Sequence, residues 1–93
     1  MEFEWDDAKA AINLTGHGVD FDDAIRVFLD PFRLELEDTR YDYGESRFRL
    51  LGEVNGVLLA VIFTEREESV RLISARVAEA NERRLYHESQ TRP

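Results

Sequence analysis

Hydrophobic positions along this chain keep two rhythms, and the change between them falls near residue 31. Before it, Phe21, Ala24, Ile25 and Phe28 recur at the i, i+3, i+4, i+7 spacing of a core-facing helical stripe. Asp20 is placed to cap that helix, and Asp30-Pro31 to end it, because the residue before a proline is pushed out of the helical region. Upstream, Ala8, Ala11, Ile12 and Thr15 share one stripe of a shorter helix, which Asp6 or Asp7 can cap and Gly16 can stop. "EFEW" reads as a short strand ahead of it, and "HGV" connects the two helices.

After residue 31 the period falls to two. "RLELED" alternates, so Leu34 and Leu36 face in while Glu35 and Glu37 face out. "SRFRLLGEV" and "VLLAVIFT" flank Asn55-Gly56, the pair that best tolerates the positive φ angles of a type I′ hairpin turn. A further strand, "VRLISAR", follows "EREES", and a last helix is predicted from about Val77 to Glu88. The order β-α-α-β-β-β-β-α describes a small α+β domain with an antiparallel sheet packed on helices.

Register carries this further. A turn at Asn55-Gly56 sets Phe48 opposite Phe63 and Arg47 opposite Thr64, and a second turn centred on Glu67-Glu68 sets Thr64 opposite Arg71. Arg47, Thr64 and Arg71 then form one row across three strands, with Arg49 two residues along on the same face. The opposite face collects Phe48, Leu50, Leu59, Val61, Phe63 and Leu72, the better candidate to pack on helices. Strict alternation sends Arg76 to that opposite face.

Composition narrows the class. Ninety-three residues with 43% hydrophobic content suit one domain, 1–93, with 89–93 expected to be a disordered tail. The acidic N-terminus lacks the basic flank and apolar stretch of a secretion signal, and the run "VLLAVIF" is too short to span a bilayer, so a cytoplasmic protein without membrane contact is expected. With no cysteine, neither a disulfide framework nor a thiolate nucleophile is available. His17 and His87 are isolated and no glycine-rich phosphate loop occurs, so no metal or cofactor is expected.

The net charge of −8 is unevenly distributed. Residues 1–46 hold thirteen acids and four bases, whereas residues 47–93 hold seven acids and eight arginines. An anion-binding surface therefore belongs to the second half, and the acidic first half suits a basic partner.

Three segments, "FEWDDAKAAINLTGHGVDFDDAIRVFLDP", "GESRFRLLGEV" and "RLISARVAEANERRLY", in this order and at these distances, closely resemble the BrnT family of ribonuclease toxins from type II toxin–antitoxin systems. The resemblance covers nearly the whole chain, from Glu2 to Glu88. It implies a RelE-like fold, a BrnA-type ribbon-helix-helix antitoxin as partner, a heterotetramer as one assembly with it, and contact with DNA only through that antitoxin. It also implies metal-independent endoribonuclease activity that inhibits translation, with the RNA's own 2′-OH as nucleophile.

Such chemistry needs a proton acceptor, cations for the phosphate and an acid for the leaving oxygen. Arg47, Arg71 and Arg76, with His17, Glu82 and Tyr86, are the candidate catalytic residues. Arg49, Arg83 and Arg84 are candidates for RNA binding, since a guanidinium pairs bidentately with phosphate oxygens. The competing structural readings are a solvated strand face in which Arg47 and Arg49 pair with Glu53, Glu35 or Glu37, and salt bridges from Arg71 and Arg76 to the last helix. His17 would then hydrogen-bond backbone in its connector, and Tyr86 would pack its ring on the sheet. Val77 and Glu79 depart from the family's pattern, and the alternative function is a catalytically weak or inactive acidic module that only holds a basic partner.

Overall fold

The computed structural model describes residues 1–39 and 44–91. Their elements run β1 (Glu2–Glu4), α1 (Asp7–His17), α2 (Phe21–Ala24, continued by a 3-10 segment, Ile25–Leu29), β2 (Leu34–Asp38), β3 (Arg47–Val54), β4 (Val57–Arg66), β5 (Ser69–Val77) and α3 (Ala80–Thr91). The five strands form one sheet in the order β1-β5-β4-β3-β2. It is mixed rather than purely antiparallel, because β1 pairs parallel to β5.

The turns fix the register as the sequence predicts. Asn55 and Gly56 both take positive φ, +52° and +82°, and set Phe48 opposite Phe63. The turn at Glu67-Glu68 sets Thr64 opposite Arg71. One sheet face carries Leu50, Leu59, Val61, Phe63 and Leu72 into a core shared with Phe21, Ala24 and Val27 of the α2 segment, and Phe48 packs against it. The other face carries Leu51, Leu58 and Ala60, covered by Ala78 and by Tyr86 of α3. Gly52 lets the helical layer approach, since a Cβ there would lie 2.7 Å from Val27 Cγ1.

Five expectations are corrected. In α1, capped by Asp6, the stripe of Ala8, Ala11, Ile12 and Thr15 is exposed, while Ala10 and Asn13 turn inward. Gly16 does not stop α1, which runs to His17 and ends on Gly18 at φ +71°, so His17 is a helical residue and not a connector. The last helix starts at Ala80 because β5 holds its pairing through Val77. It continues through Ser89, Gln90 and Thr91, so these are helical rather than a tail. Residues 92–93 lie outside the described part.

The fifth correction positions the site. A bulge in β5 shifts the register between Ile62 and Phe63, so that Phe63 faces Leu72 but Ile62 faces Ser74. Ile73 is the extra residue, and everything after it is re-phased. Arg76 consequently stands opposite Ala60, on the same face as Arg71.

Two side chains tie the layers together. Asn13 donates to the carbonyls of Ala75 and Val19, both at 2.9 Å, and accepts from the Ala75 amide at 3.1 Å. The pairing of β1 with β5 reaches only Glu4 and Arg71, so this carboxamide takes the place of a strand further along that edge. Asp30 accepts from the Phe32 amide, the Glu53 amide and the Tyr86 hydroxyl at 2.8, 2.7 and 2.6 Å, joining the α2 end, β3 and α3.

Candidate functional site

Face alternation and the bulge together bring Arg47 and Arg49 of β3, Thr64 of β4, and Arg71 and Arg76 of β5 to one side of the sheet. α3 covers only part of that side. The uncovered part holds a cleft of about 140 Å³ whose lining includes Arg47, Thr64, Arg66 and Arg71 from the sheet and Lys9 from α1. These four cations meet two acids, Asp6 and Glu45, an excess of positive charge on a chain of net charge −8. Thr64 is buried and donates to the Ser46 carbonyl at 2.6 Å, which fixes the start of β3 beside Arg47. Arg71 lies 3.5 Å from Glu4 of the neighbouring strand, with both side chains partly in solvent.

At the edge of α3 the arrangement is different. Glu82 is completely buried and receives Arg76 through both guanidinium nitrogens, at 2.6 and 3.1 Å, and Arg49 at 2.8 Å. Its Oε1 also accepts from the Glu79 amide at 2.8 Å, which caps the first turn of α3 as a capping-box glutamate does. Burial pushes the carboxyl's pKa up. The Arg76 hydrogen bonds, the Glu79 amide, the charge of Arg76 and the Arg49 hydrogen bond outweigh that, and hold it at about 2. A carboxylate held so far down and surrounded by donors is a brace for two arginines rather than a base.

Tyr86 is 3% exposed, and burial followed by its bond to Asp30 raises its pKa. It has the environment of a packed structural tyrosine. Asp30 moves in the other direction: burial raises its pKa, but the Tyr86 hydroxyl, the two amides and the charge of Arg33 lower it further. His17 is exposed at the end of α1 and lines a second cleft, which shares Lys9 and Ile73 with the first. Arg83 donates to the Ala78 carbonyl at 2.9 Å, Arg84 is exposed on α3, and neither lines these two clefts.

Of the sequence candidates, Arg47 and Arg71 therefore share the open cleft, and Arg49, Arg76 and Glu82 form the buried brace next to it. His17 borders the adjoining cleft, while Tyr86, Arg83 and Arg84 stand apart. The acid partner of Arg49 is Glu82 and not Glu53, Glu35 or Glu37. Arg66, which sequence reasoning passed over, was within its reach, since it lies two positions from Thr64 and so on the same strand face. Lys9 carried no such signal.

A search of curated proteins found no match. The model of one protein family, described as the ribonuclease toxin BrnT of type II toxin–antitoxin systems, matches residues 5–82.

Proposed function

The chain belongs to the BrnT family of type II toxin–antitoxin ribonuclease toxins, and from that premise we propose that it is a metal-independent endoribonuclease whose active site is the arginine-lined sheet face. The ribose 2′ oxygen attacks the adjacent phosphorus as the bond to O5′ breaks, leaving a 2′,3′-cyclic phosphate and a 5′-hydroxyl. The 2′-OH loses its proton to a base, and O5′ gains one. Arg47 and Arg71 hold the phosphate oxygens as negative charge develops, the electrostatic term that contributes most in such sites. Arg76 and Arg49, kept in place by Glu82, add positive potential from the α3 side. His17 carries the proton, because an imidazole both accepts and donates.

The observation that supports this reading best is the bulge at Ile73, which turns Arg76 onto the face where Arg71 already stands across the sheet from the β3 arginines. A type II system has a protein antitoxin, and we assign that part to a BrnA-type ribbon-helix-helix protein, with inhibition of translation as the consequence of free toxin. The test is cleavage of a defined RNA in the presence of a chelator, with the new ends identified chemically. Cyclic phosphate ends from the wild type, and about a hundredfold less from Arg71→Ala, are expected. Chelator-sensitive cleavage, or 5′-phosphate products, would rule the mechanism out.

A second reading, an acidic module that only holds a basic partner, is favoured by the engagement of Arg49 and Arg76 with Glu82. It predicts partner binding by a protein that leaves RNA intact.

A further inference from the structure

Among the clefts of the described residues, one differs in charge from its surroundings. The groove beside Leu29 and Phe32 is bordered by Asp30 and Glu53 against a single cation, Arg26, and the one beside Val57 and Val77 by Asp23. Acids at those rims repel a polyanion. The cleft between α1 and the β5 bulge holds no acid at all: its lining is Lys9, Ile12, Asn13, Gly16, His17, Ile73 and Ser74.

That cleft is continuous with the arginine cleft, since Lys9 and Ile73 border both. Its volume is about 270 Å³, just below the roughly 300–1,000 Å³ of pockets that enclose a drug-sized ligand, and so suited to one ring system. Ile12 is 70% exposed, and with Ile73 it offers apolar walls. Ser74 and His17 supply polar groups at the rim. Asn13 is a wall and not a reader, because both atoms of its carboxamide are committed to Val19 and Ala75.

We propose that this cleft is a nucleobase subsite, receiving the base of the nucleotide that adjoins the phosphate held by Arg47 and Arg71. The proposal rests on the RNA reading of the arginine cleft and names what that site selects. An unstacked base gives up its neighbours in single-stranded RNA and regains contact between apolar side chains, while its edge meets hydrogen-bonding groups. Ile12 and Ile73 are the walls, Ser74 reads the edge, and Lys9 faces the phosphate between the two compartments. The bulge is what opens the subsite, because it takes Ile73 out of the strand alternation.

The experiment uses the full chain and the variants Ile12→Asp, Ile12→Leu and Ser74→Ala. Cleavage of a mixed RNA pool is read by sequencing the fragment ends, with KM and kcat measured on one oligonucleotide. Ile12→Asp is expected to raise KM about tenfold, the loss of one apolar wall against the base, and to flatten the base preference beside the cut. Ile12→Leu restores both, and Ser74→Ala changes the preferred base. Unchanged preference and KM in Ile12→Asp would overturn the proposal. So would intact cleavage combined with escape from the antitoxin, which would give the cleft to the partner protein. An oligonucleotide with 2′-deoxyribose at the cut reads binding without cleavage. If the wild type cuts nothing but binds this probe, and Ile12→Asp weakens that binding, the subsite stands and the cleavage mechanism falls. If the wild type does not bind it, both fall.

Discussion

Arginine has two roles on one face of this sheet. Arg71 sits on open strand surface, and its contact with Glu4 is long and half in solvent, so Arg71→Ala is expected to change stability by only ~0–1 kcal/mol. Its cleavage should still fall on the order of a hundredfold, with Arg71→Lys recovering part, since an ammonium keeps the charge but not the fork. Glu79→Ala, whose carboxylate is exposed and 3.8 Å from Arg76, is the control and should cleave nearly as wild type does. Melting temperature and cleavage measured on the same proteins decide this, and a large loss of stability in Arg71→Ala would make it structural. Arg49 and Arg76 have the other role, because each depends on a buried acid. Glu82→Gln removes the buried charge that both guanidiniums share and is expected to cost roughly 3–5 kcal/mol. Glu82 also sets an acid limit. Its pKa falls from 4.5 to about 2 on folding, so the folded state favours the ionised form, and that stabilisation, on the order of 3 kcal/mol, is complete only above the unfolded value. It is lost as the pH drops from about 4.5 toward 2. Denaturant titrations across that window should show the wild type weakening more steeply than Glu82→Gln.

The elements are joined by a few polar contacts at their ends, and these can be tested apart from the chemistry. Tyr86→Phe removes the hydroxyl that Asp30 accepts from α3 and is expected to cost about 1–3 kcal/mol, while cleavage stays within a few-fold of wild type. A collapse of cleavage in a protein that still melts near wild type would return Tyr86 to the reaction. The same contacts explain what sequence could and could not foresee. Asn55-Gly56 and the alternation around it were legible because turn chemistry and period two are local properties, and so was the stripe of Phe21, Ala24, Ile25 and Phe28. The inward side of α1 was not, because that helix lies along a sheet edge through one alanine and one asparagine, and its apolar Ile12 remains outside. The bulge at Ile73 left no mark in "RLISAR", so alternation placed Arg76 on the wrong face. Arg49 was assigned to nearby acids because contact with Glu82, thirty-three residues on, depends on where α3 lands. The arginines themselves were legible, and which of them share a cleft was a tertiary property.

At the scale of the molecule, the charge asymmetry separates two surfaces. Exposed Leu29 and Phe32 border a groove with Arg26, Asp30 and Glu53 that shares no lining residue with the arginine cleft, and the first half of the chain is rich in acids. If a basic antitoxin segment is drawn to that half, complex formation should slow as ionic strength rises, and stopped-flow mixing at low and high salt measures it. A rate indifferent to salt would make the interface mainly apolar. Induced alone in a bacterial host, the protein is expected to slow growth and lower translation, and co-expression of its antitoxin to restore both. Normal growth at confirmed expression would favour the partner-holding reading. Such overexpression also exposes the chain to itself, and here the Asn13 contact matters in another way. Past Arg71, β5 would present bare peptide groups on which a second copy could lay a strand, the first step of templated fibre growth. A single carboxamide occupies that position, offering a donor to the Ala75 carbonyl and an acceptor to its amide. Asn13→Asp keeps the acceptor but has no donor when ionised, so light scattering of concentrated samples should rise sooner than for wild type, and the lag before aggregation becomes a property set by one side chain on α1.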